Sequence, residues 1–252
     1  MTRIERRCFG HLATGEEVGL YTLTNQSGAF VEIIELGGAI RSIVVPDKNG
    51  RLTDVALGYD SVEDYEKQGK YVGALIGRHG NRLEDAKVRI KKRVYHLAKN
   101  DGRNNLHGGN QGFDKKLWRS EIDGEKLRLY YTSPDMEEGF PGTLEVCVTY
   151  SFTDDNALVI DYKAKSDADT VCNLTNHCYF NLEGQGSGKI IWHSLKINAS
   201  HFTVGNSECL PTGYVAKVEG TPLDFTSFKT IADRIYDKHE QLVFAGGYDH
   251  NY

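Results

Sequence analysis

Apolar and polar positions alternate through much of this 252-residue chain. The clearest run is Leu144-Glu-Val-Cys-Val-Thr-Tyr-Ser-Phe152, in which every second residue is apolar. Thr153-Asp-Asp-Asn156 supplies a turn, and Leu158-Val-Ile-Asp-Tyr-Lys-Ala164 returns with the same period. A period of two sends one set of side chains into a core and the other into water, as in an antiparallel sheet. Further strands are expected at Val18–Leu23, Phe30–Leu36 and Ile40–Val45. They are divided by Asn25-Gln-Ser-Gly28 and Gly37-Gly38, and Pro46-Asp-Lys-Asn-Gly50 closes the last of them. Lys87–Leu97 reads as a hairpin turning at Lys91-Lys92 with a solvated basic face, and 190–204 as more strand, including Ile191–Ile197.

Helical signals are few. Ser61 can cap a short helix that carries acids in its first turn and ends at Gly69. Ile231 and Ile235, four apart, suggest one amphipathic turn between Phe228 and Tyr236. No internal repeat, low-complexity tract or interdomain linker is visible. The fold class expected is all-β: one large antiparallel β-sandwich domain over 1–252 with minor short helices.

Composition narrows the function classes. Hydrophobic residues make up 39% of the chain and charged residues 26%, the balance of a soluble globular protein. A formal net charge of -5 argues against a nucleic-acid partner, the basic 87–97 run notwithstanding. Five scattered Cys with no CxxC pair suit reduced thiols in the cytoplasm. The first residues lead into no apolar signal region, and no run has membrane-spanning length, so no membrane association is expected.

Candidate chemistry centres on Asn173-Leu-Thr-Asn-His-Cys-Tyr-Phe-Asn-Leu182, a strand-like run that carries His177 among aromatic, Thr and Asn residues. An imidazole there can titrate near neutrality and exchange a proton with a bound hydroxyl or ring oxygen. The competing reading is a core histidine satisfied by neighbouring amides. Asn81, Arg82, His107 and Asp249 are the other polar residues that could converge with it. Arg82 offers a planar fork of donors suited to sugar hydroxyls or a carboxylate, against the alternative of a surface ion pair. His107 stands beside Gly108-Gly109, which shield its ring little. Asp249 follows Gly246-Gly247-Tyr248, where a solvated carboxylate is the default. The histidines lack the i, i+2 or i, i+4 spacing of a metal site, and no Gly-x-Ser-x-Gly turn marks a serine hydrolase.

Taken in order, five motifs resemble the aldose 1-epimerase (galactose mutarotase) family. They are Gly77-Arg78 with Asn81-Arg82-Leu83; Asn104-Asn-Leu-His-Gly-Gly109 with Gly112-Phe-Asp114 and Trp118; Phe140-Pro-Gly142; Asn173-Leu-Thr-Asn-His177 with Tyr179-Phe-Asn-Leu182; and Gly247-Tyr-Asp-His-Asn251. They run through nearly the whole chain. The resemblance implies a β-sandwich with a sugar cleft on one sheet, and the interconversion of aldose anomers without metal or cofactor. By the same resemblance His177 is the general acid and His107 its partner at the sugar. Asp249 accepts from sugar hydroxyls, and Asn81, Arg82 and Tyr179 bind substrate. The implied partner is a small-molecule sugar, and the protein a cytoplasmic monomer or weak dimer. Hexose phosphates are a sibling possibility if Arg78 and Arg82 form a basic cluster, and a sugar-binding protein without turnover is a second. The family's catalytic base is a glutamate beyond the Gly247–Asn251 motif. No Glu of these 252 residues occupies a matching motif, so the expectation is a chain cut short at its C-terminal end, with little turnover in this form.

Overall fold

A computed structural model describes residues 2–252. In chain order the first elements are β1 (Arg3–His11), β2 (Glu17–Thr24), β3 (Phe30–Ile34), β4 (Ile40–Pro46), β5 (Leu52–Asp54) and α1 (Val62–Lys67). Short strands follow: β6 (Leu75–Ile76), β7 (Arg82–Leu83), β8 (Lys87–Ile90), β9 (Arg93–His96) and β10 (Asn105–Leu106). Then come β11 (Arg119–Asp123), β12 (Lys126–Ser133), β13 (Leu144–Phe152), β14 (Leu158–Ser166) and β15 (Thr175–Asn176). The chain ends with β16 (Ser194–Leu195), β17 (His201–Gly205), β18 (Pro211–Lys217), β19 (Lys229–Thr230) and α2 (Glu240–Ala245). These described residues fall into two compact units, one ending at Ser187 and one of Gly188–Tyr252.

The first unit is built on two antiparallel sheets, β1-β2-β3-β4-β5 and β11-β12-β13-β14. Alternation along β13 sets the inner face of the second sheet: Leu144, Val146, Val148, Tyr150 and Phe152 are all buried. Opposite them in register stand Leu127, Leu129 and Tyr131 of β12 and Ile160 and Tyr162 of β14. These side chains share one core with Tyr21, Leu23, Val31, Ile33, Ile40 and Ile43 of the first sheet. Sheet faces therefore meet as a sandwich, and burying such side chains is the main stabilising term, roughly 25 cal/mol per Å² of apolar area. Tyr150 spends its hydroxyl on the Gly38 carbonyl at 2.8 Å, so the buried phenol leaves no unpaired donor.

Most expected elements are present. The Leu144–Phe152 and Leu158–Ala164 runs pair as β13 and β14, and the basic hairpin forms as β8 and β9. Ser61 caps α1 by accepting from the Asp64 amide. Of the sheet strands outside the expected set, β1 has a weak pattern and β12 a clear one. β1 is an edge strand with charged residues toward both faces, and only its pairing with β2 fixes it. β12 alternates clearly, with Leu127 and Leu129 fully buried, and could have been found.

In the second unit the 190–204 expectation needs correction. Only Ser194–Leu195 pair there before β17, because the partner β19 is itself two residues long. Around them the chain makes turns, such as His193 N–H to Ile190 O at 2.9 Å, and Trp192 is exposed. The turn expected near Ile231 is a 3₁₀ turn over Ile231–Asp233, closed by a Thr230/Asp233 capping box. A small core of Phe202, Val218 and Leu223, with Tyr252 against it, holds the β17–β18 hairpin. α2 is capped by the His239 ring, which accepts from the Gln241 amide, and by Gly246 in the left-handed region. No helix among the described residues is long and apolar enough to cross a membrane.

Candidate active site

The site begins with backbone pairing that the sequence does not announce. β6 and β15 form a two-residue ladder, Leu75 with Asn176 and Ile76 with Thr175. Beyond it the His177 amide donates to Ala74 O at 2.9 Å and the Gly73 amide to His177 O at 3.0 Å. Asn176 adds its side-chain amide to Gly73 O at 2.8 Å. His177 therefore lies just past a strand, where one was expected to contain it, and its backbone is fixed on both sides. The pairing continues across Asn173, which exchanges backbone bonds with Arg78 and Gly80.

His107 arrives from the loop after β10, and its backbone adopts a left-handed φ of 53°. It pairs reciprocally with Asn81: the His107 amide donates to Asn81 O at 3.2 Å, and the Asn81 amide donates to His107 Nδ1 at 3.0 Å. A ring nitrogen that accepts an N–H is unprotonated, so the neutral imidazole carries its proton on Nε2. Burial, and after it the positive charge available to His177 and Arg82, push the His107 pKa down to about 4. His107 is thus a neutral ring with an outward Nε2–H donor.

Three side chains hold that loop. Asn100 donates to Leu106 O and Gly109 O at 2.8 and 3.0 Å, and its carbonyl accepts from the Leu106 amide at 2.8 Å. Glu138 accepts from the Asn110 and Gln111 amides at 2.8 and 3.1 Å. Arg78 fixes the Ser133–Pro141 segment that presents Glu138. Its guanidinium is buried and donates to Ser133 O, Pro134 O, Pro141 O and the Ser133 and Thr170 hydroxyls, at 2.8 to 3.3 Å. A Cβ at Gly108, whose φ is +93°, would stand 1.8 Å from the Gly77 carbonyl oxygen. The glycines expected to bare the His107 ring thus serve close backbone approach, and Gly77 likewise abuts the Phe113 ring.

The two imidazoles meet. His107 and His177 have ring centroids 5.1 Å apart and planes at 90°, and the Tyr179 ring lies 5.0 Å from that of His177. No hydrogen bond to a protein group occupies either ring nitrogen of His177 among the described residues. Asn81 and Tyr179, both exposed, belong to the same cluster. Arg82 is bound through Nε to Asp101 at 2.7 Å, an ion pair in which its side chain stays partly exposed. Arg78 cannot join it in an anion-binding pair, since all its groups serve the loop. Asp249 belongs to the second unit. There Tyr248 donates to Pro222 O at 3.1 Å, His250 packs on Phe202 and Asn251 bonds Thr203, while Asp249 between them is exposed. Among the described residues, Cys8, His11 and Glu17 put potential metal-ligand atoms within 4.8 Å of one another. They are exposed on the first hairpin, and Glu17 is already held by Arg6 at 2.8 Å.

The family model described as aldose 1-epimerase matches residues 19–252. The chain belongs to the aldose 1-epimerase family. It is 38% identical to the galactose mutarotase of Bos taurus across all of this chain and 72% of that protein. To the aldose 1-epimerase of Escherichia coli (strain K12) it is 35% identical, over 94% of this chain and 68% of that protein. The crystal structure of galactose 1-epimerase from Lactobacillus acidophilus NCFM superposes with a TM-score of 0.87 at 27% identity, over 99% of this chain and 73% of that one.

Asp114, of the Gly112-Phe-Asp114 motif, is a buried carboxyl beside this site whose Oδ1 lacks a partner. Burial raises its pKa to about 6, against the opposing pull of Lys115. A pKa above the unfolded value means stability that is full below about 3.8 and lost as pH rises through about 6. Asp114→Asn should therefore stabilise the protein at pH 7 by about 1–3 kcal/mol and do little at pH 3.5. Urea titrations at the two pH values measure it, and equal effects at both would refute the burial argument.

Proposed function

We propose that this chain interconverts the α and β anomers of free aldohexoses, galactose or glucose, by opening and reclosing the pyranose ring. The observation that most supports this reading is the pair of imidazoles, one held neutral with a fixed donor and one with no partner on its ring nitrogens among the described residues. Ring opening needs a proton delivered to the ring oxygen while the anomeric hydroxyl gives one up. The aldehyde then turns about C1–C2 and closes on its other face. In this scheme His177 is the general acid, and positioned proton transfer of that kind is worth typically ~10²–10⁴-fold. His107 is too weak a base to carry a proton at neutral pH, so it donates Nε2–H to a sugar oxygen and orients it.

Asn81, Arg82 and Tyr179 bind hydroxyls around the two rings. The anomeric hydroxyl also needs a proton acceptor; the family resemblance gives that role to a glutamate, and no Glu of these residues stands in a matching motif. We read the protein as cytoplasmic, and as a monomer or weak dimer; five free thiols fit a reducing compartment. Polarimetry on freshly dissolved α-galactose and α-glucose tests the proposal. The expected result, in protein that carries the family's glutamate, is decay to equilibrium faster than the spontaneous rate. Sugar binding with no acceleration would instead favour a binding protein on the same fold.

A further inference from the structure

We propose that Tyr71 is a positioning residue for this reaction: its ring braces both imidazoles and sets the angle at which they face the sugar. The inference rests on the mutarotase reading for its catalytic consequence but not for its geometry. Tyr71 packs edge-on to His107 at 4.6 Å between centroids and lies 5.8 Å from His177. With the 5.1 Å contact between the histidines, the three rings close a triangle. An edge-to-face arrangement is directional, so a ring in that corner restricts how either imidazole can turn.

Tyr71 is itself held. Its φ of 57° is in the left-handed region, uncommon for a bulky residue and kept only where the surroundings impose it. Here they do. The Tyr179 hydroxyl donates to the Lys70 carbonyl at 3.0 Å, and the next residues pair with His177 through Gly73 and Ala74. The Asn100 side chain, which also pins the His107 loop, reaches the Tyr71 hydroxyl, and Asp114 faces it. Burial together with that carboxylate lifts the Tyr71 phenol to about 12, so it stays protonated and acts as a wall and not as a base. One aromatic residue therefore links the backbone beneath His177 to the loop that carries His107.

Tyr71→Asn removes the ring and keeps a residue type that tolerates left-handed backbone, so the variant should fold. Tyr71→Phe keeps the ring and loses the hydroxyl. Two readouts are followed: the His107 titration by NMR, and steady-state mutarotation. The charges around His107 are Arg82, Asp101, His79 and His177, and both variants leave all of them in place. In Tyr71→Asn the His107 midpoint should rise from about 4 by about one unit or more as the ring loses its cover. The kcat should fall about ten-fold or more with KM nearly unchanged, because orientation matters most in the transition state. Tyr71→Phe should resemble the wild type in both. An unchanged His107 midpoint and kcat in Tyr71→Asn would overturn the proposal, as would equal damage in Tyr71→Phe. If the wild type converts no sugar, the mutarotase reading fails while the titration still decides the bracing role.

Discussion

His177→Asn lowers the mutarotation kcat by about two orders of magnitude or more, while sugar still binds. Asparagine keeps a hydrogen-bonding side chain of similar reach but cannot deliver a proton to the ring oxygen. The backbone pairs with Gly73 and Ala74 do not involve the imidazole, so the fold around the position should survive. His107 cannot substitute as the acid, because with a pKa near 4 it carries no second proton at neutral pH. Polarimetry gives kcat, and calorimetric titration with galactose gives the binding. Turnover within a few-fold of wild type would remove His177 from the chemistry, and loss of binding with kcat retained would make it a sugar ligand only.

Arg78→Met destabilises the protein by about 3–5 kcal/mol, although Arg78 lies beside the site and touches no candidate ligand. The guanidinium serves three backbone carbonyls and two hydroxyls in a nearly dry environment. Methionine fills much of the volume but leaves those carbonyls with no donor, and each buried unpaired group costs about 1–3 kcal/mol. Glu137 would lose a neighbouring positive charge as well. Burial opposes its ionisation, yet bonds from Lys116, Ser133 and Tyr131 hold its pKa below the usual range. Urea or thermal unfolding followed by circular dichroism measures the loss. A midpoint within experimental scatter of wild type would mean that water reaches the Ser133–Pro141 carbonyls. Loosening that segment also frees Glu138, so the amides of Asn110 and Gln111 should lose protection from hydrogen exchange.

The sandwich was legible because period-two burial is a local property. Leu144, Val146, Val148, Tyr150 and Phe152 each read as inward from the residue beside them, and each is inward. β12 carries the same signal. β1 does not: charged residues on both faces leave nothing for periodicity to detect. α2 escaped for a related reason, being only six residues long with a histidine cap.

For the site the division is different. His107, His177, Asn81 and Arg82 could be named from the chain, since their residue types and motif neighbours are local facts. Their roles could not be divided. Arg78 and Arg82 look alike in sequence, yet one is a buried clamp on three carbonyls and the other is paired with Asp101 beside the imidazoles. His107 differs from any loop histidine only because Asn81, 26 residues earlier, donates to its Nδ1 and burial keeps it neutral. Tyr71, Asn100 and Glu138 had no signal at all, since each acts through contacts to residues distant in sequence. By itself the sequence determined which surfaces are buried and which chemical groups are available. Tertiary structure decided which donors are spent, which imidazole holds a proton and what braces it, because hydrogen-bond partners and desolvation belong to the folded neighbourhood and not to any one segment.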